Sequence, residues 1–493
     1  MDASGTAYPA AADAPATVRG VLRSRPFATL LAGYAVSALG DGMTAVAISW
    51  LAIELAHGRN TGLLVGAAVA AYTLPGVLAG LGLGRLLTRW DPRLLVLAEA
   101  VLRTACLGAI AGAAVAGVLS PAGYVVLLGV SSLLELAAVT GSLTAVAELL
   151  PEAQRVAGNS LVTVTSFAAT IVGPALAGLV IATAGAGAAI AADAGSYLVL
   201  IAAVLLSRRF QPPAPPAGPG QGMGRALRGL WHQPAVLGIT AACAVFFGLY
   251  GPVEVALPVY VSQTLHAGPG VLGGYWTLFG CGATAGALAA SWAQRWGLWR
   301  VCVAVIAGWG ACLVPLGLTH SLVLGFATLA VGGLVYGPFL PFKQTIIQRA
   351  SPPGALAGLA AASALLTVPA APAGTALGGP LVAAIGAAPT LLASGLATIA
   401  LAVVVAAALL WRRARRAASP TAVRLSRGTA GCRDWLVSQV GRRGLVLYVA
   451  ADRARARGRG CGRRATAPCR SRLRLPGWSP RCRRRRTGHR EPR

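Results

Sequence analysis

The sequence predicts an all-α polytopic membrane protein: twelve transmembrane helices in two six-helix pseudo-repeats around a central cavity, with both termini cytoplasmic. Three observations lead there. Of the 493 residues 56% are apolar and 11% charged, with mean hydropathy +0.68, which leaves a soluble chain of this length too little polar surface. The apolar residues gather into stretches that reach the roughly 20 residues needed to cross about 30 Å of hydrocarbon. The links between stretches are basic and non-basic in turn, and arginine-rich loops stay cytoplasmic.

Taken in order, the predicted helices are 27–55, 62–87, 94–118, 122–149, 157–184, 187–207, 234–263, 270–293, 300–318, 321–342, 355–384 and 388–411. The first follows an Ala/Pro-rich segment, 1–26, with Arg19, Arg23 and Arg25 at its end. That pattern predicts an uncleaved, inside-facing cytoplasmic start. Arg85, Arg89 and Arg93 follow the second stretch, Arg155 the fourth, and Arg208, Arg209, Arg225 and Arg228 the sixth. Arg295 and Arg300 follow the eighth, and Lys343 and Arg349 end the tenth. The intervening links carry a single Arg, Arg59.

Residues 208–233 form the longest internal connection and are Pro/Gly-rich between Gln211 and Gly220. Such composition predicts a cytoplasmic linker between a bundle at 27–207 and a second at 234–411. The halves share a register. Ala147-Glu148-Leu149-Leu150-Pro151-Glu152 followed by Ala157-Gly158 has a counterpart 200 residues on, Ile347-Gln348-Arg349-Ala350-Ser351-Pro352 followed by Ala357-Gly358. Gly173-Pro174 with Gly178 answers to Gly374 with Gly378-Gly379-Pro380, and Glu54 to Glu254. Parallel repeats of this kind place a substrate site between the halves, near the bilayer midplane.

The net charge of +28 belongs mostly to residues 412–493, which hold 25 Arg and 3 acids. Arg412, Arg413, Arg415 and Arg416 suit attraction to anionic lipid, and the remainder reads as a disordered Arg-rich cytoplasmic tail. The abrupt change of composition also fits a shifted reading frame. No nucleic-acid-binding module accompanies the arginines, so no nucleic-acid partner is expected. The nine Cys suggest no disulfide framework.

With these features in place, the chain resembles a major facilitator superfamily transporter over about 20–411, and is similar to the macrolide-efflux and enterobactin-exporter-like proton antiporters. The resemblance is carried by Ser37-Ala-Leu-Gly40-Asp41-Gly42 in the first helix and by Gly84-Arg-Leu-Leu-Thr88-Arg89-Trp90-Asp91-Pro92-Arg93 in the loop after the second. Glu148-Leu-Leu-Pro151-Glu152 and Gly173-Pro174-Ala-Leu-Ala-Gly178 extend it. The last resembles the Gly-Pro-x-x-Gly helix-packing motif of antiporters. The loop resembles a motif that latches the two halves on the cytoplasmic side, but Thr88 stands at its Asp position and Pro92 at an Arg position. The resemblance gives the gate role to Gly84, Arg89, Asp91 and Arg93, with Asp91 partly replacing the missing carboxylate.

An ionisable group at mid-membrane costs about 2.5–3.5 kcal/mol on insertion scales and so faces the bundle interior. Asp41 and Glu135 each lie about 20 Å from a helix end at 1.5 Å per residue, in the middle third of the bilayer. In the resembled fold helices one, four, seven and ten line the cavity, which would bring these two carboxylates to it. A carboxyl group out of water exchanges a proton readily, because low dielectric disfavours its charged form. Glu99 and Arg103, at i,i+4, can pair within one helix, and Arg103 can neutralise a cavity carboxylate. Glu54 and Glu254 fall near outer helix ends, where an exposed rim is expected; Glu254 can also line the mouth of the cavity. Asp193 is expected to take a packing or hydrogen-bonding role, and Lys343 to snorkel at the inner boundary.

There is no Walker-type loop, no His/Cys metal set and no nucleophile–base pair, so neither an enzyme nor a cofactor is expected. The expected function is proton-coupled efflux of a hydrophobic or amphipathic small molecule by alternating access. The expected partners are that substrate, protons as coupling ion and the lipid bilayer, with the protein a monomer in a bacterial cell membrane. The alternatives are an importer of the same fold, or a membrane-anchored binding protein acting through its tail.

Overall fold

Pro and Gly set most of the helix boundaries in the computed structural model, which describes residues 18–58, 60–87, 90–135, 146, 149–207, 223–352 and 354–417. In the first part of the chain these are α1 (Val18–Leu22), α2 (Arg25–Ala56), α3 (Thr61–Leu87), α4 (Pro92–Val115), α5 (Pro121–Ser131), α6 (Glu152–Ala184) and α7 (Ala186–Leu206). α2, α4 and α5 begin with Pro in their first turn, where its missing N–H costs nothing. Gly185 separates α6 from α7 at a φ of 86°, a backbone setting open to glycine.

The second part comprises α8 (Met223–Trp231), α9 (Pro234–Val259), α10 (Pro269–Ala293), α11 (Leu298–Leu318), α12 (Leu322–Tyr336), α13 (Phe339–Ala350), α14 (Leu356–Thr367), α15 (Ala370–Ile385) and α16 (Ala387–Ala417). α9 continues through a π turn, Tyr260–Thr264. Ten of the described spans are long and apolar enough to cross a membrane. α10 is a further apolar helix, rich in Gly and aromatic residues. The fourth predicted stretch is described only as α5 and the turn to Glu135, since 136–145 lie outside the described residues.

Three expectations gain detail. The tenth and eleventh stretches are each one apolar span, Leu322–Ala350 and Leu356–Ile385, interrupted at Gly337-Pro338 between α12 and α13 and at Pro369 between α14 and α15. Pro removes a backbone donor and crowds the preceding turn. The predicted linker also contains a helix, α8, because the Pro/Gly composition stops at Gly220. Ala226 and Leu230, one turn apart, are buried, and α8 packs on α14.

Packing repeats itself. α2 lies against α6 and α7, as α9 lies against α15, and α3 packs on α5 as α10 packs on α12. The two sets of helices meet through α3 on α15 and α6 on α10. These contacts gather toward the end of the bundle that carries the α2–α3 link. There Gln263 donates to Thr61 Oγ1 at 3.0 Å. A Cβ on Gly66 would lie 2.5 Å from Gly379 Cα, and one on Gly178 2.9 Å from Gly270 Cα, so bare helix backbones touch.

Candidate functional site

Arg103, near the middle of α4, is 3% exposed and sits among three carboxylates drawn from three segments. Its Nη1 donates to Asp41 Oδ1 at 2.8 Å, its Nε lies 2.7 Å from Glu99 Oε1, and its Nη2 lies 3.4 Å from Glu135 Oε2. The guanidinium fork suits this arrangement, since its donors diverge in one plane. The i,i+4 spacing of Glu99 and Arg103 forms the pair expected from sequence.

Two tyrosines complete the cluster, and neither was assigned a role from sequence. Arg103 Nη1 lies 2.7 Å from the hydroxyl oxygens of Tyr72 and Tyr197. Both hydroxyls in turn donate to Asp41 Oδ1, Tyr197 at 2.7 Å and Tyr72 at 3.4 Å. The guanidinium carbon also stands 5.1 Å and 5.4 Å from the two ring centroids, within cation–π range. Arg103 therefore ties together α2, α3, α4, α7 and the turn after α5. Tyr197 was visible in sequence beside Asp193, but nothing in spacing alone joins it to Asp41, 156 positions away.

The three carboxylates differ in access. Glu99 is 5% exposed, whereas Asp41 is 44% and Glu135 42%. Glu99 is thus enclosed beside Arg103, whereas Asp41 and Glu135 are each partly exposed. Asp193, fully buried, lies beside the cluster: Thr44 donates to its Oδ2 at 2.5 Å and Ser196 to its Oδ1 at 3.1 Å. That is the hydrogen-bonding role expected of it.

Asp41 also lines a cavity of about 490 Å³. Tyr34, Tyr72, Ser166 and Pro174 contribute to its wall from α2, α3 and α6, and Tyr250, Glu254, Trp276 and Phe279 from α9 and α10. Glu254 is therefore not a rim residue. The π turn carries α9 on to Thr264, which leaves Glu254 well inside the helix. Its Oε2 accepts from Thr375 at 3.0 Å, and no basic side chain among the described residues pairs with it.

Gly173, Pro174 and Gly178 mark the α6 crossings. A Cβ on Gly173 would fall 2.6 Å from the Gly42 backbone, Gly178 meets Gly270, and the Pro174 carbonyl abuts Gly273. In the predicted gate loop, Asp91 and Arg93 both make local contacts. Asp91 caps α4, accepting from the Arg93 backbone at 2.8 Å, and Arg93 Nη2 donates to the Val204 and Leu205 carbonyls at the end of α7, at 3.0 and 3.1 Å. Both contacts stay within the first set of helices, and neither reaches the second among the described residues. Gly84 lies in the last turns of α3, and Arg89 is outside the described residues. Lys343 does not snorkel: it is buried, and its Nζ donates to Thr367 Oγ1 at 3.0 Å.

Against known proteins, residues 30–372 match the model of the Major Facilitator Superfamily. The chain is 29% identical over 405 residues to the multidrug efflux pump Tap of Mycolicibacterium fortuitum, covering 79% of this chain and 95% of that one. It is 30% identical over 399 residues to Tap of Mycobacterium tuberculosis, covering 75% and 89%. Among solved structures, a mutant of the nucleoside transporter NupG superposes with a TM-score of 0.63 at 13% identity, over 77% of this chain and 99% of that one. A bacterial homologue of the lysosomal transporter Spinster gives 0.60 at 12%, over 78% and 95%. At such identities the structures speak for the fold.

Proposed function

Because the chain belongs to the Major Facilitator Superfamily, we propose that it is a twelve-helix exporter of hydrophobic or amphipathic small molecules, driven by proton entry across the cell membrane. The similarity to multidrug efflux pumps supports export. The observation that carries proton coupling is the Arg103 cluster. One guanidinium faces three carboxylates within 4 Å, so full ionisation leaves two negative charges uncompensated where charge is costly. A proton on Asp41 or Glu135 relieves that imbalance.

In this reading the end of the bundle bearing Arg93 and Arg155 is cytoplasmic, which the basic links support. The packed end, with Gly66 against Gly379, then faces outward, which supports a state closed to the outside. In the alternate state protons arrive from outside at Asp41 and Glu135. Protonating Asp41 weakens its hold on Arg103 and the two tyrosines, which changes how α2 sits on α4 and α7. Return to the inward state releases the proton to the cytoplasm. The coupling is a difference in proton affinity between the two states, as population-shift arithmetic requires.

The test is accumulation of substrate in everted vesicles under an imposed pH gradient, acid inside. Asp41→Asn and Glu135→Gln are each expected to lower pH-driven accumulation by about tenfold or more, within the range of typical coupling free energies. Gradient-free exchange of labelled for unlabelled substrate should persist. Parent-like pH-driven accumulation in both variants would refute the coupling assignment.

A further inference from the structure

We propose that Glu254 is the specificity-determining residue of this cavity, and that the cargo is a lipophilic organic cation whose positive centre rests against the Glu254 carboxylate. This rests on the export reading above and adds a substrate class and a division of labour to it.

The two walls of the cavity are chemically unlike. On the α2 side the carboxylate, Asp41, is already satisfied by Arg103 and two tyrosine hydroxyls. On the α9 side the carboxylate, Glu254, has one neutral donor, Thr375 Oγ1. A carboxylate held in the membrane interior without a cation is expensive, and such residues mark substrate or ion pathways. A positively charged ligand supplies the missing charge, whereas an anion would meet acidic groups on both walls.

The surroundings of Glu254 fit the body of the same ligand. Tyr250, one turn before it, and Trp276 and Phe279 of α10 line the cavity with it. Their rings are held by neighbours behind: Tyr250 lies 5.8 Å from Trp309, and Phe279 lies 5.3 Å from Trp309 and 5.5 Å from Tyr336. Trp276 and Phe279 meet edge to face at 5.8 Å. Fixed aromatic faces attract delocalised or quaternary cations through their quadrupoles. A volume of about 490 Å³ falls among pockets that enclose drug-sized molecules.

Binding to the purified full chain in detergent tests this without any gradient, using tetraphenylphosphonium as the cation and triphenylphosphine oxide as a neutral analogue. The parent should prefer the cation by about tenfold or more, in line with the loss seen on truncating one partner of a buried charge pair. Glu254→Gln should remove the preference and leave the neutral affinity intact, which also reports that the variant is folded. Equal affinity of the parent for both probes, or an unaltered cation affinity in Glu254→Gln, would overturn the proposal. A variant-free check uses dicyclohexylcarbodiimide: the cation should protect Glu254 from modification, read by peptide mass, and lack of protection would also overturn it. Failure of proton-driven export shows separately, in the vesicle experiment.

Discussion

Arg103→Ala is expected to abolish pH-driven transport and to destabilise the folded bundle by about 3–5 kcal/mol, the cost of breaking a buried ion pair from one side. The magnitude follows from what would remain: Asp41, Glu99 and Glu135 around the vacated guanidinium, with Glu99 5% exposed and unable to reach water. Arg103→Lys keeps the charge and loses the fork. An ammonium is a point charge with three donors and does not match a planar, bidentate site, so Arg103→Lys should fold and transport weakly. Combining Arg103→Ala with Glu99→Gln should recover part of the stability and none of the coupling, since the enclosed carboxylate is removed but the link between Asp41 and Glu135 is not restored. Thermal unfolding in detergent and vesicle transport separate the two effects. Parent-like coupling in Arg103→Ala would show that the cluster is purely structural.

Much of this cluster was legible in the sequence, for a physical reason. Charges are so costly in hydrocarbon that each one retained there is conspicuous, and Asp41, Glu99, Arg103 and Glu135 stand out against Ala and Leu. The i,i+4 pair of Glu99 and Arg103 is a local rule and was readable directly. What spacing does not contain is long-range juxtaposition: Tyr197 meeting Asp41 depends on how α7 rotates against α2. The aromatic wall was hidden for the opposite reason. Tyr250, Trp276 and Phe279 lie in apolar stretches where aromatic residues are ordinary packing, and only their convergence on the cavity that Glu254 lines separates them from core. Proline breaks were underweighted, because hydropathy runs continuously through Pro338 and Pro369 while the backbone hydrogen bonding does not. Asp91 has a local use that the motif did not reveal: once Pro92 opens α4, the residue before it becomes the N-cap, and one carboxylate oxygen accepts from the Arg93 backbone.

Gly66→Val is expected to trap the transporter away from its outward-closed state. α3 and α15 touch there with no side chains between them: a Cβ on Gly66 would lie 2.5 Å from Gly379 Cα and 2.7 Å from its nitrogen. Real Cβ atoms do not approach so closely, and the obstacle is helix backbone, which cannot rotate away as a side chain can. Overpacking of this kind costs about 1–3 kcal/mol. Because the strain exists only where the two helices meet, it falls on the closed state alone and shifts the population by roughly five- to 150-fold. A cysteine placed by Thr61→Cys, a buried position at the same end, reports the shift through labelling by a membrane-impermeant maleimide added from outside, in a background with the native cysteines replaced. Labelling should rise by about that factor in Gly66→Val, and transport should fall in proportion as the inward-open state is lost. Gly108→Val is the control, since a Cβ there meets nothing within 4 Å, and it should change neither readout. If Gly66→Val instead labels like the parent and merely unfolds earlier, the close approach of α3 and α15 is static packing and not a gate.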